Sequence, residues 1–303
     1  GLLETRTFAT RSDAEKSFQA LFCIDDRECS LRRYVEKLDP KAATFGTPGF
    51  FGVEFYFKPE NELFYTKLCP APVFPKYVVK EKGAHNKRKA DLHYNPKSHG
   101  FVLGWIYSQT LGFISAMRLF LNIFNPNVTA ATSLSFNHMD KDSELTVECN
   151  HQDKEENGLQ IGYSIDEMAE RVENLLKSIG LVKDFAPLVY IIGHGASSTN
   201  NPHYAAYDCG ACSGRAGSVN ARVMSTMANH PEVRKILKEK GIEIPINTQF
   251  IGALHDTTRD EIDFYIQEMS AENKGHRERN VETFKEALEK NVNAVNIAIY
   301  ASG

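Results

Sequence analysis

A cysteine, an aspartate and an arginine stand at alternate positions, Cys23, Asp25 and Arg27, at the end of the apolar run "SFQALFCI". A core strand gains nothing from such charge, and a solvated turn has no use for a thiol. As half of a metal site the set makes sense. The thiolate is a soft ligand, the carboxylate an exchangeable one, and the guanidinium can hold that carboxylate bidentately once it leaves. The other half should be a histidine and a second thiolate, and "YIIGHGASSTNNPHYAAYDCGACSGRAG" offers His194 and Cys209. Cys23, His194 and Cys209 make a Cys2His set that Asp25 can complete as a tetrahedron. Two thiolates with one imidazole select Zn2+ over magnesium or calcium. The carboxylate is informative, because a ligand that can leave opens the position that catalytic zinc requires.

Each piece also has a plainer reading. Asp25 and Arg27 could cap a helix beginning near Glu28. A histidine after a strand is commonly a hydrogen-bonded core residue. Cys209 and Cys212 form "CGAC", a spacing shared with redox pairs, although such pairs usually open a helix straight after a strand. Here a long polar loop intervenes. His203 is a rival ligand, placed by Pro202 in a turn. Cys29, Cys69 and Cys149 are expected to be small buried hydrophobes.

The elements that must position these residues read as α/β. A strand over 17–24 and a helix with Leu31, Tyr34, Val35 and Leu38 at helical spacing bracket the Cys23–Arg27 turn. Ser164 and Glu167 make a capping-box pattern ahead of a stripe at Ile165, Met168, Val172, Leu175, Leu176 and Ile179, with Gly180 as the stop. "PLVYII" (187–192) and "TQFIGAL" (248–254) read as strands buried on both faces, and helices are expected over 219–229 and 231–240. Strands alternating with helices imply a mostly parallel sheet flanked by helices, whose ligands sit beyond the carboxyl ends of the strands. The three buried runs end in Cys23 and Asp25, in His194, and in His255 with Asp256. We therefore expect a zinc-binding core of residues 1–40 and 160–303. Residues 41–159, where short aromatic runs alternate with proline and glycine, are expected to form a large irregular insertion with short strands and a long apolar helix over 101–124.

The chain has 303 residues, 42% hydrophobic and 24% charged, with a formal net charge of −4. That balance argues against a nucleic-acid partner. Six cysteines are too sparse for a disulfide scaffold, and "GLLETRTFAT" lacks the apolar core of a signal peptide, so reduced thiols and a cytoplasmic setting are expected. The chain starts at Gly1 and stops inside the apolar "NAVNIAIYASG", which reads as a piece of a longer polypeptide. Residues 101–124 are long enough to span a bilayer, but Gln109, Arg118 and Asn122 would be costly there. A helix packed against the core or a membrane partner is expected instead.

Cys23-Ile24-Asp25-Asp26-Arg27 resembles the first zinc motif of β-carbonic anhydrases, where Cys, Asp and Arg serve as ligand, exchangeable ligand and aspartate partner. The second motif of that family, His-x-x-Cys, is replaced here by a much wider His194–Cys209 spacing. That departure, with "GHGASSTNNPHYAAYDCGAC" and "GALHDTT", resembles the DabA family, over nearly all of 17–265. The resemblance implies a β-carbonic-anhydrase-like core and zinc on Cys23, Asp25, His194 and Cys209, with Asp25 and Arg27 as the catalytic pair. It also implies hydration of CO2 to bicarbonate and a proton-translocating membrane subunit (DabB-like) as partner. The location would be peripheral, at the cytoplasmic face of the cell membrane. Asp26, His255 and Asp256 are candidates for outer support or proton relay. The competing reading is a non-catalytic, zinc-stabilised subunit that docks a membrane transporter.

Overall fold

The computed structural model describes residues 16–60, 63–83, 143–149, 155–196, 208–265 and 269–301, with scattered helical positions between 102 and 120. The first described element is β1 (Gln19–Cys23), buried at every position, followed by α1 (Asp26–Leu38) and β2 (Ala43–Thr47). After the intervening segment come β9 (Leu188–Gly195), β10 (Gln249–Asp256) and β11 (Glu261–Tyr265). These five strands form one sheet in the order β11-β10-β9-β1-β2. Pairing is parallel except at the β10–β11 edge. The mixed α/β, mostly parallel architecture is the expected one. From β1 the chain moves outward to β2 on one side, whereas β9 and β10 extend the sheet on the other. The order of the strands thus reverses between β1 and β9, and in open α/β sheets the crevice at such a reversal is where ligands bind.

A second, six-stranded sheet is made of short pieces: β3 (Phe55–Lys58), β4 (Thr66–Leu68), β5 (Tyr77–Lys82), β6 (Glu144–Leu145), β7 (Glu155–Glu156) and β8 (Leu159–Ile161). The described strands between 55 and 161 all belong to this sheet. β2, at 43–47, falls by number inside the segment read as an insertion but pairs with β1 in the five-stranded sheet.

Helix α2 (Ile165–Ser178) begins as its sequence dictates. Glu167 N donates to Ser164 Oγ at 3.3 Å and Ser164 N to Glu167 Oε2 at 2.8 Å, closing the capping box. Its stripe, Met168, Val172, Leu175 and Leu176, is buried with α3 (Ser218–Asn229), α4 (Pro231–Glu239) and the inner faces of both sheets in one continuous core. The opposite face of the five-stranded sheet is covered by α1 and by α5 (Ala271–Ala301), where Phe18, Tyr190, Phe264 and Phe284 form an aromatic cluster with ring centroids 5.0 to 5.7 Å apart. Burying each such ring contributes about 2 kcal/mol.

Two expectations about individual side chains need correction. Cys29 is exposed and Cys149 half-buried, whereas Cys69 is buried as expected. In α1 the residues facing the sheet are Glu28, Leu31 and Val35, so Cys29, about 100° further round the helix, turns outward. Within the apolar 101–124 stretch the described positions are helical, and Val102, Trp105, Phe113, Met117 and Phe120 are exposed rather than packed on the core. Among the described residues, no helix is long and apolar enough to cross a membrane.

Candidate metal centre

Because β1, β9 and β10 run parallel, their carboxyl ends share one edge of the sheet, and the polar residues that end the three apolar runs gather there. Cys23 is the last residue of β1 and is 4% exposed; His194, in β9, is fully buried. Cys209 arrives from the far side of the segment 197–207, through a bridge to Arg215 and a short 3-10 turn over Gly210–Cys212. The ligand atoms of Cys23, His194 and Cys209 all lie within 4.8 Å of one another, all three residues buried. His203 lies outside the described residues.

Two observations fit a metal ion to this cluster. Neither ring nitrogen of His194 has a hydrogen-bond partner among the described residues, although the side chain is wholly buried. An imidazole left unsatisfied in the interior costs on the order of 1–3 kcal/mol unless something else uses its lone pair. The donor set is the second observation: two thiols and an imidazole, with no hard-oxygen cage, suit a soft or borderline cation. Facing Cys209 and buried, the Cys23 thiol is pushed well up, and the neighbouring Cys212 thiol, with burial, does the same to Cys209. A divalent cation between the sulfurs is what would release those protons.

Asp25 stands beside this cluster and is engaged by Arg27. Arg27 Nε donates to Asp25 Oδ1 at 2.8 Å and a terminal guanidinium nitrogen donates to Oδ2 at 2.9 Å. The same carboxylate caps α1, with Arg27 N donating to Oδ1 at 3.1 Å, so the helix-cap reading also holds. The Arg27 guanidinium holds the Asp25 carboxyl down at about 2. Asp25 Oδ2 is 3.6 Å from His194 Nε2, and the carboxylate stands outside the three-residue group whose ligand atoms lie within 4.8 Å of one another.

The other sequence candidates divide. Asp26 is exposed in the first turn of α1, where its charge favours the helix N-terminus. Asp256 is buried and its Oδ1 accepts from Thr258 N at 3.0 Å. His255, 1% exposed, lies in register with His194 on the neighbouring strand, and its Nδ1 is 2.8 Å from Glu28 Oε1. Burial alone would push this imidazole down; the Glu28 carboxylate, helped by Asp260, outweighs it and raises it to about 9. Glu28 is fully buried, and sequence reading took it for a first-turn helix residue.

Asp208 was missed as well. It is 3% exposed, its Oδ1 accepts from Ala196 N at 2.9 Å, and burial raises its carboxyl to about 6. It thereby ties together the two described ends flanking residues 197–207. Cys212, the other half of the "CGAC" pair, lies outside the three-residue cluster, and its thiol donates to Gly49 O at 3.4 Å.

The family profile described as "Probable inorganic carbon transporter subunit DabA" matches residues 2–295. The protein of that name from Azotobacter vinelandii is 59% identical over 277 residues, covering 91% of this chain and 33% of the relative. The one from Nitrosospira multiformis is 55% identical over 291 residues, covering 95% and 32%. A more distant relative from Rhodopirellula baltica, "Probable inorganic carbon transporter subunit DabA 2", is 36% identical over 278 residues, covering 86% and 26%. The chain spans about a third or less of the length of these relatives. No solved structure matches it. With the profile running through Cys23, His194 and Cys209 and across both sheets, the chain belongs to the DabA family.

Proposed function

We propose that this chain carries the zinc centre of an energy-coupled inorganic-carbon uptake complex and that the centre hydrates CO2 to bicarbonate. The observation that supports this reading is the pairing of a buried Cys23–His194–Cys209 cluster with an aspartate held aside by Arg27. Bound there, zinc would lower the pKa of a coordinated water to about 7 and so supply hydroxide at neutral pH. Cys23, His194 and Cys209 would be its protein ligands, and Asp25 the exchangeable fourth. Held by Arg27, Asp25 would leave room for a water; released from the guanidinium, it would take that place. The Asp25–Arg27 pair is in this sense the gate.

The assembled complex tests this reading by oxygen-isotope exchange between CO2 and water. Exchange should be present in the wild type and lost in Cys209→Ala, which takes a ligand from the metal. A complex that accumulates bicarbonate at the wild-type rate with no such exchange would contradict the proposal.

A second reading, a zinc-stabilised subunit whose task is to dock a proton-translocating membrane subunit, is favoured by the exposed Trp105, Phe113, Met117 and Phe120. It places the chain peripherally at the cytoplasmic membrane face. Trp105→Asp should then release the protein from the membrane fraction without altering its metal content. Unchanged fractionation would sink the docking role of that stretch.

A further inference from the structure

Gly49 follows β2 in a turn closed by Phe51 N donating to Pro48 O at 2.8 Å. A Cβ built on it would lie 2.6 Å from Cys209 Sγ, 2.9 Å from Cys23 Sγ and 3.3 Å from Cys23 Cβ. Carbon–sulfur contacts this short lie well inside the optimum of about 3.5–4.0 Å for non-bonded heavy atoms. The bare Cα of Gly49 is therefore the wall against which both sulfurs seat.

That wall cannot draw back. The Gly49 carbonyl accepts from the Cys212 thiol, which also reaches Asn220 Oδ1 at 3.7 Å. Asn220, fully buried, donates to Val53 O and Leu68 O at 3.0 Å each, fixing the chain on either side of the second sheet's first hairpin. On the other flank a Cβ on Gly217 would stand 3.1 Å from Gly49 O, and one on Gly193 only 2.3 Å from Gly217 O. Gly217 N donates to His194 O at 2.9 Å. Three glycines from three segments thus stack backbone to backbone, and the stack ties the sulfur wall to the strand that carries the imidazole.

We propose that Gly49 is a positioning residue for the metal centre, setting the separation of the Cys23 and Cys209 sulfurs so that both reach one ion with His194. The proposal rests on the metal reading above and extends it to a residue that ligates nothing. The physical distinction is rotational. In metal-free protein the two sulfur contacts, the tightest, are relieved when the cysteine side chains rotate about χ1, leaving the 3.3 Å contact with Cys23 Cβ, which that rotation does not move. With an ion bound those rotations are forbidden, so the methyl acts chiefly on the bound form.

The experiment uses the full-length protein and cobalt(II) as probe, reading thiolate-to-cobalt charge-transfer absorption and affinity by titration. Gly49→Ala should bind cobalt about 10- to 100-fold more weakly, with reduced charge-transfer intensity, the range seen when residues supporting metal ligands are lost. Its melting temperature in chelator should match that of the chelated wild type. Gly210→Ala, next to Cys209 but with nothing within 4 Å of the added Cβ, should titrate as wild type. Wild-type affinity and spectrum in Gly49→Ala would overturn the proposal. Failure of Gly49→Ala to fold in chelator would equally overturn it, because the methyl would then be felt without an ion. A wild type that binds no cobalt removes this proposal together with the metal reading, whereas an unaffected Gly49→Ala removes this one alone.

Discussion

Each of the two sheets carries a cluster of polar side chains, and the two are built on opposite plans. In the six-stranded sheet Glu156 takes hydrogen bonds from Lys58, at 2.6 Å, from Lys80 and from Tyr65, whose hydroxyl also accepts from Asn157 at 2.9 Å. These side chains are only partly buried, with Glu156 23% exposed, and the two lysines hold its carboxyl down at about 2. At the carboxyl edge of the five-stranded sheet, His194 is wholly buried, and among the described residues neither ring nitrogen has a hydrogen-bond partner; it faces two thiols, with Asp25 Oδ2 3.6 Å from Nε2. A cluster whose groups satisfy one another is complete as it stands and serves the fold. One whose buried donors and acceptors lack partners carries a cost that only a ligand offsets. Charge alone does not separate the two; satisfaction does.

The comparison breaks most visibly at a ligand. Cys209→Ala should abolish metal binding outright, because Cys23 and His194, on the neighbouring strands β1 and β9, are too few protein ligands to define a site. Metal content by elemental analysis checks it, and near-stoichiometric metal in that variant would place the ion elsewhere. Asp25→Ala sharpens the contrast differently. Three strong ligands remain, so metal should stay bound, while growth on ambient CO2 should be lost with the gate. Full growth of that variant would remove Asp25 from the chemistry.

A smaller effect is expected one step out from the metal, at the buried Glu28–His255 pair. The folded His255 imidazole sits at about 9, against 6.5 ordinarily. Its contribution to stability is therefore fully present below about pH 6.5 and lost as pH rises through 9. In chelator, wild type should lose on the order of 3 kcal/mol over that window relative to His255→Gln. Parallel stability curves for the two proteins between pH 6 and 10 would show that the pair is not charged. The smallest effect belongs to the satisfied cluster. Glu156→Gln should cost under about 1 kcal/mol, being a partly exposed ion-pair network, and leave metal content untouched.

Much of the site was legible in the sequence because its residues end recognisable elements. β1, β9 and β10 are apolar runs of strand length, and a parallel sheet brings their ends together whatever the loops do. The α2 capping box and its stripe were equally readable, since both are local. The unread parts depend on long-range contact. Glu28 is separated from His255 by 227 positions, and nothing near it in sequence distinguishes it from a solvated first-turn acid. Asp208 looks like loop polarity until its bond to Ala196 N is seen. Gly49 carries no side chain for a motif to name, and its role appears only when two sulfurs from distant segments press on its Cα. β11 was missed, and the strands of the second sheet were expected only as short strands of the 41–159 segment without individual bounds, because runs of two to six residues carry too little periodicity to register.

The central claim is that Cys23, His194 and Cys209 hold one zinc ion. Elemental analysis of full-length protein purified without chelator tests it most directly. The account predicts about one zinc per chain, as expected for a site binding as tightly as structural zinc does. Less than about a tenth of an equivalent, with no other transition metal in its place, would contradict it.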